Sequence, residues 1–194
     1  LTERFGGGQG ETTQVLVSGD LADPVTWNAT IDGTAAAAAL PGVVAVDGVP
    51  RVQSPQAIIA SLADPTSEQH APTVAEAVAV AGLDASLRAS GGADLGPVIA
   101  AAQAVAPDAL KGVLAEGAAL YTFTTQAGTA GAIALAQGLE AAFPAGSVAT
   151  SREIVDAVVI DAISGSQTQS LVLAILAAGL LVMVNFLVSD RKPI

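Results

Sequence analysis

The chain has 194 residues, and its 18 acidic against 7 basic residues give it a formal net charge of −11. A surface this acidic repels phosphate backbones and anionic headgroups, which excludes a nucleic-acid-binding role. The chain has no cysteine, so disulfides and thiolate metal sites are excluded as well.

The first third of the chain alternates predicted strands with predicted helices. A β-prone run predicts a strand at 12–18, and Asp23 then has the position of an N-cap for a helix that follows. A second strand region is predicted at 43–53, in which Asp47-Gly48 turns the chain after a strand at 43–46 and residues 49–53 extend that strand or pair with it. Ser54 caps the next helix by the same chemistry. Each helix has a proline directly after its cap, which suits the first helical position.

Residues 64–117 have a different composition and predict a helical insertion, because proline and glycine repeatedly interrupt helical stretches there. Thr73 and Glu76 have the spacing of a capping box, which predicts the start of one helix. Helices broken in this way and rich in alanine and valine leave gaps, so we expect an apolar groove. Its walls are predicted from 54–62 and 73–105. The insertion's predicted helices are 73–87, 97–105 and 107–116.

Strand and helix patterns return after the insertion. A strand is predicted at 118–126, then a helix capped by Thr129, then a last strand at 147–151. With the first half, this order predicts an α+β fold, a ferredoxin-like (split βαβ) sheet with helices on one face.

The end of the chain predicts a transmembrane helix. Residues 170–188 carry no charge, and as a helix they would span about 30 Å, close to the hydrocarbon thickness of a bilayer. Arg191 and Lys192 follow, and basic residues mark the cytoplasmic side. An apolar stripe from 154 to 163 predicts that one continuous helix, from 152 to 188, joins the outer domain to this span. The predicted divisions are an extracytoplasmic domain at 1–165, a transmembrane helix at 166–190 and a cytoplasmic end at 191–194.

Few residues could carry chemistry. His70 lies in a polar loop without a second histidine, which favours a solvated side chain over a metal ligand. Asp156 and Asp161 could form a catalytic pair, but two carboxylates on the polar face of a helix are far commoner. Glycines 6–8 lack the lysine of a phosphate loop, and the N-glycosylation pattern at Asn28 falls on a predicted helix. The sequence therefore predicts no enzyme and no catalytic, cofactor-binding or metal-binding residue.

Several segments resemble a known family. TTQVLVSGDLADP at 12–24 and LPGVVAVDGVPRVQSPQAII at 40–59 resemble the first extracytoplasmic loop of resistance-nodulation-division (RND) transporters, in the MMPL-type hydrophobe-exporter branch. YTFTTQAG at 121–128 and SREIVDAVVIDA at 151–162, with the apolar run after it, resemble the end of that loop and the second transmembrane helix.

The resemblance implies a porter domain of ferredoxin-like subdomains in an exporter of lipids or other hydrophobic molecules, driven by an ion gradient. The partners it implies are the remaining transmembrane helices, the second porter domain of the same transporter, the lipid bilayer and a hydrophobic or lipid-like substrate; it also allows a homo-oligomer. The implied location is the cell membrane. The alternative is a single-pass, membrane-anchored extracytoplasmic domain that binds a ligand or partner, as a sensor or accessory subunit does. A third reading is a membrane-anchored enzyme.

Overall fold

The computed structural model of the chain describes residues 11–159. The chain forms two compact units, with the boundary between Ile154 and Val155. The first unit holds a mixed α and β structure, and of the second unit the described residues, 155–159, are helical. Among the described residues no helix is both long and apolar enough to cross a bilayer. The predicted span at 166–190 lies outside the described residues, as does most of the predicted continuous helix from 152 to 188.

The first unit contains strands and helices, with runs of consecutive short strands and of consecutive helices between its two longest strands. The strands are β1 (Glu11–Ser18), β2 (Ala45–Val46), β3 (Val49–Pro50), β4 (Val52–Gln53), β5 (Leu114–Ala115), β6 (Ala118–Thr125) and β7 (Val148–Thr150). The helices are α1 (Pro24–Ala37), α2 (Pro55–Ala63), α3 (Pro72–Val80), α4 (Gly96–Val105), α5 (Pro107–Lys111) and α6 (Gly128–Ala142). Residues 152–159 are also helical.

The main sheet is antiparallel, with strand order β4-β6-β1-β7 and β5 paired to the far end of β6. The two long strands, β1 and β6, lie in the centre and pair along their whole length, from Glu11 opposite Thr125 to Ser18 opposite Ala118. The strands predicted at 12–18, 118–126 and 147–151 are confirmed with small shifts in their ends.

One face of this sheet forms the core, because side chains alternate across a strand. Val15 and Val17 on β1 and Tyr121 and Phe123 on β6 are buried. Phe143, after α6, packs on both aromatic rings, with ring centroids 5.0 Å from Tyr121 and 6.0 Å from Phe123. Helices α1 and α6 contact each other over this face.

Both helix caps predicted before the insertion are confirmed. The Asp23 carboxylate accepts from the backbone N–H of Thr26 at 3.0 Å and from the Thr26 hydroxyl at 2.8 Å. The Thr26 hydroxyl, followed by the backbone bonds, holds the pKa of Asp23 below its usual range. Ser54 Oγ accepts from the backbone N–H of Ala57 at 3.1 Å. These caps fix where α1 and α2 begin.

Three local predictions are wrong at helix starts or ends. The capping box does not form, because Pro72 occupies the first helical position and moves the cap to Ala71, so that α3 begins before Thr73. This helix ends at Val80 rather than at 87, as the chain turns through Gly82 at φ +66°. Likewise α6 has Ala127 as its N-cap, which places Thr129 inside the helix.

Strand pairing corrects one further prediction and selects between two alternatives in another. The helix predicted at 107–116 ends at Lys111, and the chain then returns as β5, which pairs with β6 across a turn at Glu116 and Gly117. In the strand region predicted at 43–53 the turn at Asp47-Gly48 is confirmed, and the two sides of the turn pair as a short β2–β3 hairpin, which β4 follows. Pro50 has no N–H to donate to a longer ladder, which favours the break between β3 and β4.

Gly33 sets the distance between α1 and α6. A Cβ at this position would lie 2.7 Å from the carbonyl oxygen of Ala142 and 3.0 Å from the Phe143 ring. A Cβ at Gly138, on α6, would meet only the end of the Leu40 side chain, at 3.1 Å.

We therefore expect Gly33→Ala to lower the free energy of unfolding by about 1 to 3 kcal/mol, because backbone must move to admit the methyl group. Gly138→Ala is the matched control. Leu40 can rotate away there, and the better helix propensity of alanine should leave stability equal or up to about 1 kcal/mol higher. Urea unfolding of both variants measures the difference, and equal effects would show that α1 and α6 do not pack this closely.

Candidate functional site: an apolar groove along α1 and α2

A groove of about 410 Å³ lies between α1, α2, the β2–β3 hairpin and the loop at 85–87. None of the described residues that line it is charged, although the chain as a whole is strongly acidic. Its lining consists of Ile31, Thr34, Ala35, Gly48, Val49, Pro50, Val52, Ser54, Gln56, Ala57, Ala60, Ala85, Ser86 and Leu87.

Small side chains open the groove on the helical side. Ala57 and Ala60 lie about one turn apart on α2, and both are exposed. On α1, Ile31, Thr34 and Ala35 have the spacing of one helix face and meet the same space. Larger side chains in place of Ala57 and Ala60 would fill the groove without disturbing the core behind it.

Gln56, a buried polar residue that lines the groove, belongs to a chain of buried hydrogen bonds. Gln56 Nε2 donates to the hydroxyl of Thr30 at 2.8 Å, and that hydroxyl donates to the carbonyl of Trp27 at 2.7 Å. The Tyr121 hydroxyl donates to Gln56 Oε1 at 2.9 Å. Burial raises the pKa of Tyr121 to about 12, although the bonds with Thr30 and Gln56 partly oppose this shift. A polar group of a ligand that reaches Gln56 would therefore meet a side chain already held in one orientation.

Helix α1 holds the loop wall of the groove in place. Trp27 Nε1 donates to the carbonyl of Leu87 at 2.6 Å, in the buried interior. Asn28 makes two bonds to Ala89, with Nδ2 donating to its carbonyl at 2.8 Å and Oδ1 accepting from its N–H at 2.9 Å. An exposed ion pair joins Arg88 to Asp32. The same contacts explain how Leu87 keeps a φ of +58°, a conformation that costs energy outside glycine.

These contacts also determine whether the N-glycosylation pattern at Asn28 can be used. Its side-chain amide is engaged with Ala89 on both sides, and Thr30, the third residue of the pattern, is fully buried. A glycosyl transfer to this amide requires it to be free and accessible. In the folded domain Asn28 therefore has a structural role, and its amide is not accessible for glycosylation.

The hairpin forms the opposite wall. Asp47 and Gly48 both have positive φ, at 53° and 78°, which is the conformation of a two-residue hairpin turn that matches the twist of its strands. This turn directs Val49 and Pro50 to the groove, and Val49 is 66% exposed. The base of the hairpin is fixed to β6, because the N–H of Val44 donates to the carbonyl of Thr124 at 2.9 Å.

The sequence predicted part of this lining. Residues of the predicted range 54–62 line the groove through α2. Of the predicted range 73–105, only residues 85–87 line this groove. Helix α1 and the hairpin were not predicted as walls of the groove, although the turn at Asp47-Gly48 was predicted.

Two other cavities differ in charge. One of about 480 Å³, among α3, residues 90–94 and Pro97, includes Glu76 and Asp94. The other, of about 580 Å³, includes Asp20 and Glu116. Because burying a carboxylate against an apolar ligand is costly, the uncharged groove is the candidate site.

The other residues considered from sequence do not form a site with one another. His70 is half-buried before α3, and its Nδ1 is buried without a hydrogen-bond partner. Among residues 11–159 no group of acidic and histidine side chains could hold a metal ion. Asp156 is exposed on the final helical segment, whereas Asp161 and glycines 6–8 lie outside the described residues. No protein-family model, curated protein or solved structure matches the chain.

Proposed function

We propose that this chain is part of an RND-type exporter, with the first unit as a porter domain whose groove receives a lipid or another hydrophobic molecule. In this proposal an ion gradient drives the pump, residues 1–165 lie outside the membrane, and a transmembrane helix at 166–190 ends in the cytoplasm. The observation that carries the proposal is the uncharged groove in a chain with a net charge of −11.

The composition of the groove supports an apolar ligand. Its volume of about 410 Å³ falls within the usual range for small-molecule sites. Each methylene that leaves water for such a surface contributes about 0.8 kcal/mol, so a short stretch of hydrocarbon provides useful affinity. The polar groups at Ser54, Gln56 and Thr34 are neutral, which favours a hydroxyl or carbonyl group on the ligand over a charged one.

The topology supports the porter assignment. We propose that the sheet is of the ferredoxin-like, split βαβ type that the resemblance implies. The support for this proposal is the strand order, with β1 and β6 in the centre and β4 and β7 outside, together with the contact between α1 and α6. Residues 64–113 then form the insertion between the two halves, with α2 in contact with α3, α4 and α5.

The test of the groove is labelling by a photoactivatable, uncharged lipid analogue. We expect labelled peptides from α2 and from residues 85–87 in the wild type. Ala60→Phe should reduce that labelling about tenfold, because the ring occupies the space of the hydrocarbon and a loss of about 1.4 kcal/mol corresponds to this factor. Ala104→Phe, at an exposed position on α4, is the matched control and should label as the wild type does.

Ligand binding alone would also fit a membrane-anchored sensor or accessory domain, so transport must be measured separately. In the complete transporter, Ala60→Phe should lower export of the lipid while expression stays normal. Equal labelling of all three proteins would disprove the groove as a binding site. Reduced labelling with unchanged export would favour the sensor or accessory reading.

A further inference from the structure

Two buried polar side chains line the groove at the start of α2. Ser54 is 3% exposed and Gln56 is 8% exposed, and both belong to the groove lining. Ser54 is the N-cap of α2, and Gln56 lies in its first turn. A polar group removed from water to this extent is costly unless it has a hydrogen-bond partner. The partners of these two side chains therefore determine what a ligand has to supply.

The hydrogen bonds around Gln56 fix the direction of its amide. The Thr30 hydroxyl donates its only proton to the carbonyl of Trp27 at 2.7 Å, so it can only accept from Gln56. The atom that faces Thr30 is therefore the amide nitrogen Nε2, and Oε1 accepts from Tyr121 at 2.9 Å. Turning the amide over would lose a hydrogen bond, because Oε1 has no proton to donate to Thr30.

Each of the two side chains has one donor left over. An amide nitrogen carries two hydrogens, and within residues 11–159 Gln56 Nε2 has one partner, Thr30. The Ser54 hydroxyl accepts from the backbone N–H of Ala57, and its own proton has no acceptor in this described part of the chain. Thr34 differs, since its hydroxyl donates to the carbonyl of Thr30 at 2.9 Å. Buried donors without partners are rarer in proteins than spare lone pairs on oxygen, so these two donors define the polar end of the groove.

We propose that the ligand of the groove carries an uncharged carbonyl group, whose oxygen accepts from Gln56 Nε2 and from the Ser54 hydroxyl. A carbonyl oxygen has two lone pairs and no proton, so it matches two donors. The hydrocarbon attached to it contacts apolar lining residues such as Ile31, Val52 and Ala60. The inference rests on the proposed function, because it names the class of hydrophobic molecule, ketones and uncharged esters, that the same groove receives.

The charge and donors of the groove separate a carbonyl compound from two other ligands. A carboxylate would also accept at a helix N-terminus, where the helix dipole favours it. None of the described lining residues is basic, however, and a buried carboxylate without a counterion is costly. The net charge of −11 also repels anions. A plain hydrocarbon leaves both donors without partners, which lowers its affinity.

The test compares two diazirine-bearing probes of equal chain length, a methyl ketone and the hydrocarbon in which a methylene replaces its carbonyl. Each is photolysed with the full-length chain in detergent, and labelling of the α2 peptide is measured against probe concentration. The readout is the ketone-to-hydrocarbon labelling ratio of a variant relative to that of the wild type. Partitioning of the probes into micelles is the same for every variant and cancels from this comparison.

Gln56→Leu removes the amide and should lower this ratio about tenfold, the effect of one lost hydrogen bond. Gln103→Leu, at an exposed position on α4, is the matched control and should leave the ratio unchanged. Because Gln56→Leu also leaves Thr30 and Tyr121 without a partner, Ser54→Gly is the second variant. Glycine is nearly as good an N-cap as serine, so the fold should persist while the ratio falls about fivefold.

The outcomes separate this inference from the proposed function. An unchanged ratio in Ser54→Gly and in folded Gln56→Leu, with α2 labelled by both probes, would overturn the carbonyl assignment and leave the hydrophobic groove as a binding site. If circular dichroism shows Gln56→Leu to be unfolded, Ser54→Gly alone decides. No labelling of α2 by either probe would overturn both proposals. Stronger labelling by the corresponding carboxylic acid than by the ketone at neutral pH would also overturn the carbonyl assignment, because the donors would then bind an anion.

Discussion

Replacing Trp27 with alanine is expected to lower the free energy of unfolding by about 3 to 5 kcal/mol. The side chain is fully buried, and its indole N–H donates to the carbonyl of Leu87. The substitution removes the largest side chain from the core and leaves the Leu87 carbonyl without this donor. Urea unfolding followed by circular dichroism measures the loss, since the chain contains no other tryptophan for fluorescence.

Trp27→Phe separates the two contributions. The phenyl ring retains much of the buried area, so the loss should be smaller and should include about 1 to 3 kcal/mol for the carbonyl left without its donor. A variant at Val25, which is 73% exposed on the same helix, serves as the control, and Val25→Ala should change stability by less than about 0.5 kcal/mol.

The Trp27→Ala substitution should loosen the loop wall of the groove, at residues 85–87, more than other parts of the domain. Arg88 is an exposed trypsin site between the two residues that α1 holds, whereas Arg51 is an exposed site beside the hairpin. Under native conditions Trp27→Ala should accelerate cleavage after Arg88 more than cleavage after Arg51, because it releases the Leu87 carbonyl. Equal acceleration at both sites would mean that the substitution loosens the whole domain and that α1 does not specifically hold this wall.

Elements with strong local signals could be predicted from the sequence. Alternation of apolar residues placed β1 and β6, and the Asp-Pro and Ser-Pro pairs placed the starts of α1 and α2. The helix starts depend on hydrogen bonds to neighbours within three residues, such as that from Thr26 to Asp23, so no knowledge of the tertiary structure is needed to place them.

Local signals gave wrong predictions where a nearby proline or pairing with the next strand competed with them. Thr73 and Glu76 have capping-box spacing, but Pro72 sets the first helical turn one residue earlier. Leu114 and Ala115 read as the end of a helix, yet pairing with β6 satisfies their backbone groups instead. The strand partner is close in sequence but has to fold back through Gly117 at φ +69°, and a helical pattern does not reveal this.

The candidate site depends most on long-range contacts. Trp27 and Asn28 contact Leu87 and Ala89, about sixty positions later, and Tyr121 reaches Gln56 from the other half of the chain. No periodicity in one sequence identifies such pairs. The sequence could therefore predict that gaps would arise near α2, but not that α1 and the hairpin would enclose the groove.

The buried chain beneath the groove makes stability sensitive to alkaline pH. The pKa of Tyr121 is raised to about 12 in the folded state, mainly because burial disfavours the phenolate, against 10.0 for an ordinary tyrosine. Below pH 10 the phenol is neutral in both states, and its contribution to stability is complete. Between pH 10 and about 12 the unfolded chain releases this proton and the folded chain keeps it, so stability falls as the pH rises. A difference of this size corresponds to about 2 to 3 kcal/mol over the whole interval.

The Tyr121→Phe variant is expected to be less stable than the wild type near neutral pH and more stable at high pH. At pH 8 it should be less stable than the wild type by about 1 kcal/mol, because Gln56 Oε1 loses its donor. The variant has no phenol to ionise, so the wild type should lose this advantage near pH 11 and become the less stable protein above it. The chain has one tyrosine, so phenolate absorbance titrates Tyr121 alone. A phenolate midpoint near 10 in the folded protein, or parallel stability profiles for both proteins, would show that this hydroxyl is not buried against Gln56.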